Sequence, residues 1–338
     1  MKLVVHVGEA GRVGGHLVSD ALMDLIAGAG VAASVLLRGV EGFGARHKLR
    51  TDRLLSLSED LPLVIVAVDL ATRIVPLAAE ITALVPRGLV TLEHAVLANG
   101  QLDDDTPLRG GGETKLTVYC GRGEEHRGEP VPLAVADALF SAGLAGAIVL
   151  TGVDGVILGE RRRARVLGRN RGVPAMVMAV GSSEAVAAAL PLVRGIAGRH
   201  VVTLERVSIL RRDGAAVGPL PTVTHHDEAG VELRQRLTVT NGESDGGGGR
   251  PFHVGLIHDL RAAGAGGATA LRGAWGHTGD DARHGERLLA IRRHAPVLVT
   301  LIERPAEMLR LWPVVERATA SAGLVTCELV PAARMLGH

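Results

Sequence analysis

The tetrapeptide Val90-Thr91-Leu92-Glu93 returns as Val202-Thr203-Leu204-Glu205 and again as Val325-Thr326-Cys327-Glu328, 112 and then 123 residues further on. Ahead of each copy lies an apolar run led by a proline, at Pro62, Pro174 and Pro296, which stand 112 and 122 residues apart. Further ahead come Arg38-Gly39, Thr151-Gly152 and Arg272-Gly273, spaced by 113 and 121. Three landmarks in one order at near-constant spacing make the chain a tandem triplicate. Its fold must therefore be one unit built three times.

In the first copy Lys2 to Val7 reads as a strand, and the spacing of Leu17, Ala21, Leu22, Leu25 and Ile26 predicts a helix over 13–27 that Gly28 and Gly30 end. Val31 to Leu37 is a second strand, followed by a glycine-rich turn and a polar stretch to Glu59 that reads as a long loop. Leu61 to Val68 is a third strand. Ile74, Leu77, Ala78, Ile81 and Leu84 mark a second helix, and Leu89 to Leu92 a last strand. The order β-α-β-β-α-β is that of a ferredoxin-like module, an α+β fold. We expect modules at 1–98, 113–210 and 231–338, with linkers at 99–112 and 211–230. Both helices cover one face of such a sheet, so the other face needs a partner. Three copies closing into a pseudo-trimer would supply it.

Composition narrows the function classes. A net charge of +1 gives no global field to recruit nucleic acid, and aromatics at 2% leave no stacking platform for bases. No apolar stretch approaches the roughly 18–20 residues of a membrane span, and the start is too short for a signal-peptide core, so a cytoplasmic protein is expected. Cys120 and Cys327 stand alone in strand-like runs and read as core. No Ser/His/Asp order, HExxH or Walker lysine appears, so the chain does not read as an enzyme.

Arg38-Gly39-Val40-Glu41-Gly42-Phe43-Gly44, followed by Leu57-Ser58-Glu59-Asp60-Leu61-Pro62 and an apolar strand, resembles the PII-like signalling proteins, most closely their uncharacterised domain-of-unknown-function branch. The resemblance runs through all three copies and is clearest in the first. It implies a chain acting as a covalent, monomeric trimer that binds an adenine nucleotide (AMP, ADP or ATP) in clefts between modules. It further implies loops that dock on a membrane transporter, a channel or a cytoplasmic enzyme. The link Val85-Pro86-Arg87-Gly88 is shorter than the glycine- and lysine-bearing phosphate loop of nitrogen-regulatory PII proteins.

The candidate ligand residues are Arg38, Gly39, Gly42, Phe43, Gly44 and Arg53, with Arg272, Gly273 and Gly276 in the third copy. Glycine amides could cradle a phosphate and an arginine could add charge-assisted bonds. Arg53, Arg165 and Arg287 recur, as do Glu93, Glu205 and Glu328, and an arginine of one copy could pair with a glutamate of its neighbour. The run Arg161, Arg162, Arg163, Arg165, Arg169, Arg171 reads as a solvated loop. The groups His225-His226-Asp227-Glu228 and His277, Asp280, Asp281, His284 carry metal-ligand types without a metal-ligand spacing, so no metal site is assigned. The leading reading is a ligand-sensing regulator. The rivals are a ligand-free interaction platform and a CutA-type metal-handling protein.

Overall fold

Pro62, Pro174 and Pro296 each occupy the first residue of a strand, a position where the missing backbone N–H leaves no gap inside the ladder. The computed structural model describes residues 1–44, 47–52, 60–85, 87–100, 102, 106–164, 170, 172–226, 230–243, 250–278, 284–285 and 295–336; at 278, 284–285 and 333–336 it gives backbone alone. In the first copy the strands are Lys2–Gly8, Ala33–Arg38, Pro62–Val68 and Gly88–Glu93, with helices α1 (Val18–Gly28) and α2 (Ala71–Leu84). The second copy has Glu113–Gly121, Gly146–Thr151, Pro174–Ser182 and Val201–Arg212, with α3 (Val131–Ser141) and α4 (Ser183–Ala197). In the third they are Leu233–Gly242, Ala268–Arg272, Pro296–Glu303 and Leu324–Leu336, with α5 (Phe252–Ala262) and α6 (Pro305–Ala318).

The β-α-β-β-α-β order is thus present three times. In each copy the first strand pairs with the third and the fourth, and the second pairs with the third, all antiparallel. The spatial order is fourth, first, third, second. Buried positions explain the helices: Val18, Leu22 and Ile26 line one face of α1, and Ile74, Leu77, Ala78 and Ile81 one face of α2. The first helix starts later than its apolar spacing predicts. Arg12–Val13 and His16–Leu17 form a tight hairpin, because Gly14 and Gly15 adopt φ of 57° and 87°.

Both edges of every sheet are paired to a neighbour, so the copies close into a ring. At one edge Val96–Leu97 pairs with Leu204 and Thr203, residues 208–212 pair with 324–327, and residues 332–336 pair with 88–91. At the other edge Glu41–Phe43 pairs with 268–270, Asp154–Ile157 with 33–36, and Trp275–Thr278 with 146–149. Parts of the expected linker and loop are therefore strand, with partners in another copy. Closure removes the open edges that would otherwise invite aggregation.

Alternation along Pro62–Val68 shows how the core divides. Leu63, Ile65 and Ala67 face the helices of their own copy, whereas Val64, Val66 and Val68 join Tyr119, Met176, Leu271 and Leu298 in a central cluster drawn from all three copies. A strand buried on both faces reads as an unbroken apolar run. Cys120 and Cys327 are buried and free, within the cores of their copies. Among the described residues no helix is long and apolar enough to cross a membrane.

Candidate functional site

Glu93, Glu205 and Glu328 meet at the centre of the ring, each at most 7% exposed. Their cations stand opposite them on the first strand of each copy: Lys2 faces Glu93, Lys115 faces Glu205 and Arg236 faces Glu328. Lys2 bonds Glu93 of its own copy at 2.7 Å and Glu205 of the second. Lys115 bonds Glu205 at 3.1 Å and Glu328 of the third. Arg236 bonds Glu328 at 3.0 Å and Glu93 of the first at 2.7 Å. Three cations and three anions alternate in a closed circle, and each cation joins two copies. The Thr91 hydroxyl donates to Glu93 at 2.7 Å.

The electrostatics follow from this geometry. Burial by itself would raise the Glu93 and Glu328 carboxyls, but Arg236, with Lys2 and Lys115, holds both well below the usual range. Burial would lower the Lys2 ammonium, yet Glu205 and Glu93 hold it above its ordinary value. His6, inside the same circle of strands, is pushed down to about 4 by burial and by the Arg236 charge. The glutamates make inter-copy ion pairs with Lys2, Lys115 and Arg236; Arg53, Arg165 and Arg287, the partners named from the sequence, lie outside the described residues.

The loop-base glycines lie at the junctions between copies. Gly39, Gly152 and Gly273 each donate N–H to the carbonyl of the local proline, Pro62, Pro174 or Pro296, at 2.8 Å. The next residue in each copy, Val40, Val153 or Ala274, donates to a strand of the preceding copy. A Cβ on Gly42 would lie 2.5 Å from the Ala268 carbonyl oxygen, and one on Gly276 2.7 Å from that of Ala147. These glycines let two backbones approach where any side chain would collide. The Gly39 and Gly273 amides that a phosphate cradle would use are engaged in the fold. Space beside Gly44 is open.

Phe43 is buried in the third copy's core, with its ring stacked 5.9 Å from His47. Its second-copy counterpart Val156 is buried in the first copy's core. In the third copy, Trp275 packs on the second copy's core, and His277 meets Phe140 edge-on. Each copy therefore inserts a side chain from its loop base into the copy before it. Arg38 makes a two-pronged pair with Glu9, both contacts at 2.9 Å, and Arg272 pairs with Glu243 at 2.6 Å and Asp52 at 3.7 Å.

Within the arginine run, Arg161 bonds Asp154 at 2.8 Å and Asp24 of the first copy, and Arg163 bonds Asp20 at 2.9 Å. Both reach the first copy, Arg161 from a half-buried position and Arg163 from an exposed, solvated one. Arg165, Arg169 and Arg171 lie outside the described residues, as do Asp227, Glu228, Asp280 and Asp281. Among the described residues no three metal-ligating side chains come together.

The second copy also holds a cleft that repeat comparison does not reveal. One chamber of about 380 Å³ is walled by Val131, Leu158, Ile196 and Ala197, with Glu124, Arg199 and His200 at its rim. A second of about 290 Å³ adjoins it, sharing Glu124, Leu158 and Arg199 and adding Glu160 and Arg162.

The family model DUF190, described as "Uncharacterized ACR, COG1993", matches residues 1–97, 113–209 and 234–332. Among solved structures, the crystal structure of aspartate kinase from Synechocystis aligns at a TM-score of 0.27 and 11% identity. That alignment takes in 100% of this chain and 46% of that one, so the chain spans about half its length. With three matches that together cover most of its residues, the chain belongs to the DUF190 family and carries that family's unit three times over.

Proposed function

We propose that the protein is a PII-like regulator in which three ferredoxin-like modules form an intramolecular pseudo-trimer. It binds a small anionic ligand, an adenine nucleotide, and passes its occupancy through the loops to a transporter, a channel or a cytoplasmic enzyme. The observation that carries this reading is the rooting of each loop. The segment that opens the loop is paired to the preceding copy, and a side chain beside it enters that copy's core. A ligand at a loop base therefore acts on two copies together, and ordering of one loop shifts a junction.

A melting screen of the full chain against AMP, ADP and ATP, with and without Mg²⁺, tests the reading. A ligand at 100 times its dissociation constant adds about 2.7 kcal/mol, a shift of several degrees. A shift with one of the nucleotides is the expected result. Unchanged melting with all of them favours the rival reading of a ligand-free interaction platform. One observation speaks for that rival: the Gly39 and Gly273 amides already bond to Pro62 and Pro296.

A further inference from the structure

The geometry points to the cleft of the second copy as the binding site for a nucleoside monophosphate whose base carries an exocyclic amine. This deepens the ligand-sensing reading, on which it rests for the expectation of a small anion.

His200 is 7% exposed and lines the larger chamber. Its Nε2 pairs with a Glu124 carboxylate oxygen, while its buried Nδ1 has no hydrogen-bond partner. A carboxylate at Nε2 fixes the proton there in the neutral ring, which leaves Nδ1 a bare acceptor. Nδ1 does not open onto the chamber as the ring stands, but a buried acceptor without a donor is costly, so a turn of the ring toward a guest that brings an N–H or O–H would be favoured. Glu124 and Glu125 add acceptor oxygens at the same end. Val131, Leu158, Ile196 and Ala197 offer an apolar wall suited to a planar ring.

The adjoining chamber shares Glu124 and Arg199 with the first and adds Glu160 and a second guanidinium, Arg162. Arg199 is exposed and has no partner among the described residues; Arg162 pairs only with the exposed Glu160. Two guanidinium groups beside an open chamber suit a phosphate, which they can grip through paired N–H donors. The main chamber, of about 380 Å³, falls within the usual range for small-molecule sites.

Leu158 supports the assignment independently. It has φ of 52°, in a two-residue turn whose other member, Gly159, has φ of 80°. A branched apolar residue in the left-handed region is strained, and this one is 42% exposed while lining both chambers. Glycine would serve the turn better, so the leucine is there for what its side chain touches. The cleft also spans the second loop. Leu158 and Arg162 lie where it leaves the sheet, and Gly172 lies where it returns. Arg161, between them, clamps Asp24 of the first copy. Occupancy would thus be felt at the junction of the first two copies.

Calorimetric titration of the full chain with AMP, CMP and UMP tests this, with Arg199→Glu, Arg162→Ala and Arg38→Ala as variants. Arg199 is exposed, so its replacement leaves the fold intact, which circular dichroism checks. The expected result is one AMP or CMP per chain, about tenfold weaker binding of UMP, whose base presents a carbonyl instead of the amine, and at least a tenfold loss in Arg199→Glu. Binding that survives Arg199→Glu and Arg162→Ala but disappears in Arg38→Ala overturns the cleft while leaving the sensor reading in place. No heat with AMP or CMP also overturns the cleft, and the wider melting screen then decides the sensor reading separately.

Discussion

Arg236 of the third copy grips Glu93 of the first through both terminal guanidinium nitrogens, each 2.7 Å from a different carboxylate oxygen. The two residues are 143 positions apart, and the bond closes the circle that Lys2 and Lys115 begin. Arg236 is 6% exposed, and its carboxylate partners have nowhere to find water if it is removed. Truncation of one member of a buried pair costs about 3–5 kcal/mol, because a charge is left buried without a partner. Arg236→Ala should destabilise the chain by that amount in urea unfolding, and Arg236→Lys, which loses the two-pronged grip, by less. Unfolding midpoints equal to wild type in both would mean that the circle holds nothing together.

Acid should open the same circle. The Glu93 and Glu328 carboxyls titrate below their unfolded values because Arg236 and the lysines stabilise their charged forms. A group depressed in this way contributes stability above the unfolded carboxyl range. That contribution is lost as pH falls toward the folded value, about 2 for Glu328. Stability should therefore decline from about pH 4.5 downward. Glu328→Gln should start less stable at pH 7 and show a shallower acid loss, in melts followed from pH 7 to pH 2. Parallel acid losses in the two proteins would assign the effect to other carboxylates.

His6 contributes in a separate window. Burial and Arg236 push its imidazole from 6.5 to about 4, so the folded state keeps it neutral where the unfolded state protonates it. Between those values the unfolded chain binds more protons, so stability rises with pH by at most about 1.4 kcal/mol per unit. The contribution is complete above pH 6.5 and lost as pH falls to 4. His6→Asn should flatten the stability profile across that interval and leave the region below pH 4 unchanged. Calorimetric melts at pH 7, 5.5 and 4 would show it, and an unaltered slope in the variant would place the titration elsewhere.

The triplication and the element order were legible because they rest on local evidence, identical residues at constant spacing and apolar periodicity. The ring was not, because its partners are distant in the chain and differ in type. Lys2, Lys115 and Arg236 share a charge but not an identity. A signal was still present: the chain has 34 arginines and three lysines, and two of those lysines stand 113 residues apart, the spacing of the repeat. The inter-copy strand at 208–212 straddles the expected boundary between the second module and its linker, and that at 332–336 lies at the end of the third module; neither stood out, since their pairing partners belong to another copy. The loop-base glycines were visible, but a phosphate cradle and a close backbone crossing ask for the same residue. Only the position of the Ala268 carbonyl separates the two. The cleft of the second copy left little mark in repeat comparison: Arg199 has a counterpart in Arg87, but His200 falls at Gly88, so the pair does not recur as a unit.

Gly42 offers a direct way to separate those two roles. A methyl group there would lie 2.5 Å from the Ala268 backbone oxygen and 3.1 Å from Pro62 Cγ. A backbone carbonyl held in a ladder cannot rotate away, so Gly42→Ala should push the first copy off the third at a cost of about 1–3 kcal/mol. Gly44, beside open space, should tolerate alanine with little change. Hydrogen exchange gives a sharper readout than melting alone. In Gly42→Ala the amides of the Ala268–Arg272 strand should lose protection, although the substitution is more than 200 residues away in sequence. Gly44→Ala should leave them protected. Full protection of that strand in Gly42→Ala would show that the crossing relaxes around a side chain, and the glycine would then need its explanation in a ligand.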